Sequence, residues 1–122
     1  MCTVLLADDN VGDIEALRLV LEHEGHRVVI ADNGCEALSM ARHEPPHIVI
    51  TDLDMPCMDG IELCRQMKRH ALLASIPVMV VSASCPASFG VPLWAAFLRK
   101  PASLTALVDL VRQLGEPQTA PL

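Results

Sequence analysis

Ile48-Val49-Ile50-Thr51-Asp52-Leu53-Asp54-Met55-Pro56-Cys57-Met58-Asp59-Gly60-Ile61-Glu62 compresses a strand, a loop and a helix start into one stretch. Ile48, Val49 and Ile50 are apolar at every position and not merely at alternate ones, the pattern of a strand covered on both faces. The run ends at Asp52. Met55-Pro56-Cys57-Met58 then reads as a loop, and Asp59 with Glu62 three residues later has the offset of a capping box. That box opens a helix with Ile61, Cys64 and Met67 on its inner side.

The alternation continues in both directions. Upstream, Val4-Leu5-Leu6-Ala7 is a short apolar run ending at Asp8-Asp9, and Asn10 caps a helix defined by Ile14, Leu17 and Leu21 and stopped at Gly25. Val28-Val29-Ile30 is a second strand, followed by Asn33-x-x-Glu36, a further capping box, and a helix with Ala37, Leu38 and Ala41 inward that ends at Pro45-Pro46. Downstream, Pro77 leads into Val78-Met79-Val80-Val81 and Ser82, and Phe97-Leu98 forms a fifth short strand before Arg99-Lys100-Pro101. Leu104, Leu107, Val108 and Val111 trace a last helix, stopped at Gly115. Strands apolar throughout, alternating with helices, indicate an α/β parallel sheet with right-handed crossovers. In such folds ligands sit beyond the carboxyl ends of the strands.

Asp8-Asp9, Asp52, Ser82 and Lys100 all fall at those ends. Carboxylates about 4 Å apart at an effective dielectric near 20 repel by roughly 4 kcal/mol per pair, so the cluster calls for a cation. Hard carboxylate oxygens suit Mg²⁺, which prefers one or two carboxylates, several waters and a substrate phosphate. Lys100 adds a movable positive charge and Ser82 a hydroxyl donor, which completes the usual equipment for phosphoryl transfer.

Composition narrows the alternatives. A length of 122 residues, a 52% hydrophobic fraction and a mean hydropathy of +0.38 fit one domain with a single packed core. The formal charge of −6 and pI near 5.2 argue against a direct nucleic-acid surface. No apolar run approaches the roughly 20 residues that cross a bilayer, and no basic segment precedes an apolar one at the N-terminus, so a soluble, unexported, cytoplasmic chain is expected. Five cysteines (Cys2, Cys35, Cys57, Cys64, Cys85) with no C-x-x-C pair predict neither a disulfide framework nor a zinc site, and read as small buried hydrophobes. His23, His26, His43, His47 and His70 fall in polar helix ends and loops, where solvated side chains are the default.

Leu6-Ala7-Asp8-Asp9-Asn10, Asn33-Gly34-x-Glu36-Ala37-Leu38, Asp52-Leu53-Asp54-Met55-Pro56-x-Met58-Asp59-Gly60, Val81-Ser82-Ala83 and Lys100-Pro101 together carry a likeness. The chain resembles the receiver domain of two-component response regulators along nearly its whole length. The resemblance implies a flavodoxin-like, doubly wound five-stranded parallel sheet in order 2-1-3-4-5, with residues 1–115 as the receiver domain and 116–122 as a C-terminal tail or the start of a linker. It implies that Asp52 is the phosphoacceptor, taking a phosphoryl group from a histidine kinase or histidine phosphotransfer protein. Asp9 and Asp52 would bind Mg²⁺ directly, Asp8 would act through water, and the main-chain carbonyl of Asp54 would complete the protein ligands. Lys100 would pair with the phosphoryl oxygens. Ser82 would hydrogen-bond the phosphoryl group and move toward it, letting Phe97 turn inward. The Lys100-Pro101 bond is usually cis in the family. On this view the chain is no enzyme, although it assists its own Mg²⁺-dependent phosphorylation and dephosphorylation, and it acts on an output partner or domain that the sequence leaves open.

The chain departs from the family between Ser84 and Ala96. Pro86, Gly90 and Pro92 fall where the fourth helix normally lies, and an interior proline costs a helix about 3 kcal/mol. A shortened or irregular fourth helix is expected, which weighs against dimerisation through the face that helix normally builds. Two other functions compete. A phosphate-independent docking module would keep the fold without needing the acceptor set. Asp52-Leu53-Asp54 also echoes the D-x-D motif of haloacid-dehalogenase-like phosphatases, but those place it on the first strand of a larger domain.

Overall fold

Three strands buried along nearly their whole length form the middle of the protein: β1 (Thr3–Ala7), β3 (Ile48–Thr51) and β4 (Val78–Ser82). The computed structural model describes residues 2–84 and 93–115. Partly buried strands flank the three, β2 (Arg27–Ala31) on one side and β5 (Ala96–Arg99) on the other, in the all-parallel order β2-β1-β3-β4-β5. This is the expected flavodoxin-like order, and the burial contrast explains why the central runs read as continuous apolar stretches.

Among the described residues four helices cover the sheet: α1 (Val11–His23), α2 (Gly34–His43), α3 (Gly60–Arg69) and α4 (Leu104–Gly115). Alternate strand residues face opposite layers. Leu5, Ala7, Val49, Val78 and Val80 pack with Ala37 and Ala41 of α2 and with Leu63, Cys64 and Met67 of α3. Val4, Leu6, Ile48, Ile50, Met79 and Val81 pack with Leu21 of α1 and with Leu107, Val108 and Val111 of α4. Each Val, Leu, Ile or Met among them contributes about 1.5–3 kcal/mol when fully buried, so the two layers hold the sheet and leave its loops free for chemistry.

The helix starts follow the sequence signals. Asn10 Oδ1 accepts from the Asp13 N–H at 3.1 Å, Asn33 Oδ1 from the Glu36 N–H at 2.8 Å, and Asp59 Oδ1 from the Glu62 N–H at 2.8 Å. Gly25, with φ +91°, takes the left-handed position that follows α1. Residues 85–92, where the irregular fourth helix is expected, and the 116–122 tail lie outside the described residues; among those described, no helix separates β4 from β5. None of the described helices is long and apolar enough to cross a membrane.

Two expectations are corrected. Cys35 and Cys57 are joined in a disulfide, with Cα atoms 6.1 Å apart, while Cys2 and Cys64 are buried thiols as expected. The partners are 22 residues apart in sequence and meet only because the start of α2 packs on the loop between β3 and α3. His26 is buried rather than solvated, and its Nδ1 accepts from the Cys2 N–H at 3.2 Å. Its place just before β2 brings it beneath the start of β1.

Candidate functional site

Backbone pairing carries one residue past the strand ends. The Asp8 N–H donates to the Ala31 carbonyl at 3.2 Å, Asp52 N–H to Ala7 at 2.9 Å, and Lys100 N–H to Ser82 at 2.9 Å. These bonds register Asp8, Asp52 and Lys100 along one edge of the sheet. Oxygens from the carboxylates of Asp8, Asp9 and Asp52 lie within 4.8 Å of one another. Three hard donors at that separation fit a small divalent cation far better than they fit each other.

Lys100 reaches into this group from the cis Lys100-Pro101 bond that ends β5. Its ammonium donates to Asp8 Oδ2 at 3.0 Å, Asp13 Oδ2 at 2.8 Å and Asp52 Oδ2 at 3.2 Å. All three N–H donors therefore find carboxylates. Lys100, Asp8 and Asp52 keep 20%, 14% and 12% of their side-chain surface exposed, whereas Asp13 keeps 49% and sits at the rim. Sequence reasoning missed Asp13. The available signal was its place in the first turn of α1, whose cap at Asn10 adjoins Asp8-Asp9.

The remaining polar groups close the site from the β3 and β4 sides. Asp52 Oδ1 accepts the Asp54 N–H at 3.3 Å, and Asn10 N–H holds Asp8 Oδ1 at 2.9 Å. Ser82 is fully buried, and its Oγ accepts the Ser84 N–H at 3.2 Å. Ser84 Oγ in turn donates to Asp54 Oδ2, tying the two loops together. Phe97 is half-buried on β5 opposite Val80, with its ring 6.0 Å from that of Trp94. A cleft of about 540 Å³ opens beside Asp52 and Lys100, walled by Ile14, Leu17, Leu104 and Leu107.

Two glycines fix the loop after Asp52 by close approach. A Cβ on Gly60 would lie 2.2 Å from the Asp52 carbonyl oxygen, and one on Gly34 would lie 2.1 Å from that of Met58. Neither neighbour is a flexible side-chain end, so only glycine fits. Cys57, in the same loop, holds a left-handed φ of 73°.

Burial opposes charge throughout the cluster, with different outcomes. At Asp8 burial dominates and raises the carboxyl above its ordinary value of 3.8, despite the Asn10 N–H and Lys100. At Asp52 burial pushes upward as well, but the hydrogen bond from Ser82, the Asp54 N–H and Lys100 together hold the carboxyl below 3.8. Burial would lower Lys100, yet its bonds to Asp13, Asp8 and Asp52 raise it well above its ordinary value. The site is thus built with an ionised Asp52 beside a fixed ammonium.

Over residues 4–112 the chain matches the response regulator receiver domain. It belongs to that family. Protein PilH of Pseudomonas aeruginosa is 35% identical over 82 residues, covering 67% of this chain and 68% of that protein. Response regulator MprA of Mycobacterium leprae is 33% identical over 115 residues, covering 91% of this chain and 50% of that protein, so the chain spans about half the length of that regulator. A crystal structure of a putative response regulator from Chloroflexus aurantiacus superposes with a TM-score of 0.84 at 30% identity, covering 93% of this chain and 96% of that one. The protein is a signalling receiver, and the D-x-D phosphatase alternative is not favoured by this membership.

Proposed function

We propose that this receiver accepts a phosphoryl group on Asp52 from the phosphohistidine of a histidine kinase or histidine phosphotransfer protein, within a cytoplasmic phosphorelay. The observation that carries it is the ammonium of Lys100 bridging Asp8 and Asp52, 3.0 and 3.2 Å away, inside a cluster of three carboxylates. An ionised Asp52 needs no base. One of its oxygens attacks phosphorus, the bond from phosphorus to the imidazole nitrogen breaks, and that nitrogen keeps the electron pair. Asp52 thereby becomes an acyl phosphate.

Asp9, Asp52 and the main-chain carbonyl of Asp54 are proposed as direct Mg²⁺ ligands, with Asp8 acting through water. The ion would neutralise charge on the transferring oxygens, the main barrier in such reactions. Lys100 contributes the second positive charge, and the rigid loop around Gly60 keeps Asp52 aimed. Ser82 would turn its hydroxyl proton from the Asp52 carboxylate to the phosphoryl group, and Phe97 would turn inward behind it. Residues 1–115 form the receiver in this proposal and 116–122 a tail or linker, acting on an output partner or domain. The acidic balance of −6 supports a protein target over direct nucleic-acid contact.

The test is phosphorylation by acetyl phosphate and binding of beryllofluoride, each with Mg²⁺. Wild-type protein gains the mass of one phosphoryl group and Asp52→Asn does not. Stable phosphate on Asp52→Asn would sink the assignment.

A further inference from the structure

We infer that the Cys35–Cys57 pair is a thiol–disulfide exchange site that takes a dithiol, and that its state sets how firmly the acceptor loop is held; the inference rests on the acceptor role proposed for Asp52. The bond joins the first turn of α2 to the loop between β3 and α3, across the contact where Gly34 meets Met58. That loop begins at Asp52 and carries Asp54, three residues before Cys57. The cross-link is therefore a second, covalent clamp on the segment whose backbone must be placed for a cation and a phosphoryl group.

Access and chemistry both suit exchange. Cys57 is exposed and Cys35 half-buried, so Cys57 is the more open of the two to an incoming thiolate. Cys2 and Cys64 are buried, which leaves both poor competitors, and burial also pushes the Cys64 thiol up to about 11. A dithiol thiolate attacks Cys57 Sγ, the disulfide breaks, and Cys35 leaves as a thiolate. The second sulfur of the dithiol then attacks its own mixed disulfide and releases Cys57. Two electrons and two protons pass from the dithiol, which departs oxidised, to the two cysteines, and the reverse exchange with an oxidised dithiol restores the clamp. Disulfides in reducing compartments are typically transient and redox-sensing, which suits a bond at the rim of a switch.

The direction follows from preorganisation: a loop already ordered gives up less freedom when it binds. The full chain, oxidised with an oxidised dithiol or reduced with dithiothreitol, is titrated with beryllofluoride in saturating Mg²⁺ by calorimetry. Alkylation under denaturing conditions is expected to label Cys35 and Cys57 only after reduction. A cross-linked peptide pair should contain Cys35 and Cys57. The oxidised form should bind about three- to tenfold more tightly, and Cys35→Ser/Cys57→Ser should bind like the reduced form with or without dithiothreitol. Labelling of Cys35 and Cys57 in the oxidised protein, or equal affinity in both states, would overturn this inference alone. Loss of binding in both states would overturn the acceptor role and the clamp together.

Discussion

The loop after β1 and the loop after β3 stand side by side at one edge of the sheet and supply carboxylates to the same cluster, yet they are held by different forces. The β3 loop is fixed sterically, with Gly34 and Gly60 in backbone contact too close for a methyl group and a disulfide across the same boundary. The β1 loop is fixed by polar contacts: the Asn10 cap, the Asn10 N–H on Asp8, and the bonds from Lys100 to Asp8 and to Asp13 in the first turn of α1. Asp52 thus sits on the sterically held half and faces, through Lys100, a half held only by polar contacts.

One substitution made in each half separates them most strongly. Gly60→Ala is expected to destabilise the protein by about 2–4 kcal/mol, because backbone must move to admit the methyl group. Gly12→Ala, in the first turn of α1, places its Cβ 3.5 Å from Asn10 Oδ1, an ordinary contact. It should be neutral or stabilising by up to about 1 kcal/mol, from helix propensity. Denaturant unfolding measures both, and a Gly60→Ala as stable as the wild type would end the steric side of the comparison.

Asp8 and Asp52 give the next largest effect. A carboxyl raised above 3.8 in the fold favours folding in its protonated form, so stability from Asp8 is gained as pH falls through its folded value and is opposed above it. Asp52 has the opposite sign, contributing above its unfolded value near 3.8 and losing that contribution as pH falls through a lower folded value. Metal-free Asp8→Asn should therefore melt about 1–3 °C above wild type at pH 7. Mg²⁺ should raise the melting temperature of wild type and have less effect on the variant. A lower melting temperature for metal-free Asp8→Asn would mean that its pairing with Lys100 outweighs its burial. Carbon-detected titration of the two carboxyls should place Asp8 above 3.8 and Asp52 below it.

Asp13→Asn is the finest probe. It frees one N–H of Lys100 for an incoming phosphoryl oxygen, and the rim pair it removes is worth about 0.2–1 kcal/mol, so beryllofluoride affinity should rise about 1.4-fold to fivefold. Unchanged affinity would show that Asp13 does not compete for the ammonium.

The same division governs what could be read from sequence. Strands β1, β3 and β4 announce themselves because nearly every residue is buried, and the caps at Asn10, Asn33 and Asp59 because their chemistry is local. Asp8, Asp9, Asp52, Ser82 and Lys100 were legible because strand ends converge in any parallel sheet. Asp13, the Cys35–Cys57 bond and the Gly34–Met58 contact were not, since each depends on how closely two elements approach and no local pattern records that distance. Leu63 escaped for a related reason: α3 buries a wider stripe than Ile61, Cys64 and Met67 alone define.

The hydrogen bonds that run one residue past each strand have a kinetic meaning. The amides of Asp52 and Lys100 are paired to Ala7 and Ser82, in the same ladders that hold the core. Releasing either to solvent means parting strands rather than fraying a loop, so their protons should exchange at the slow rate of whole-molecule opening. The placement of Asp52 and Lys100 then persists for as long as the sheet does.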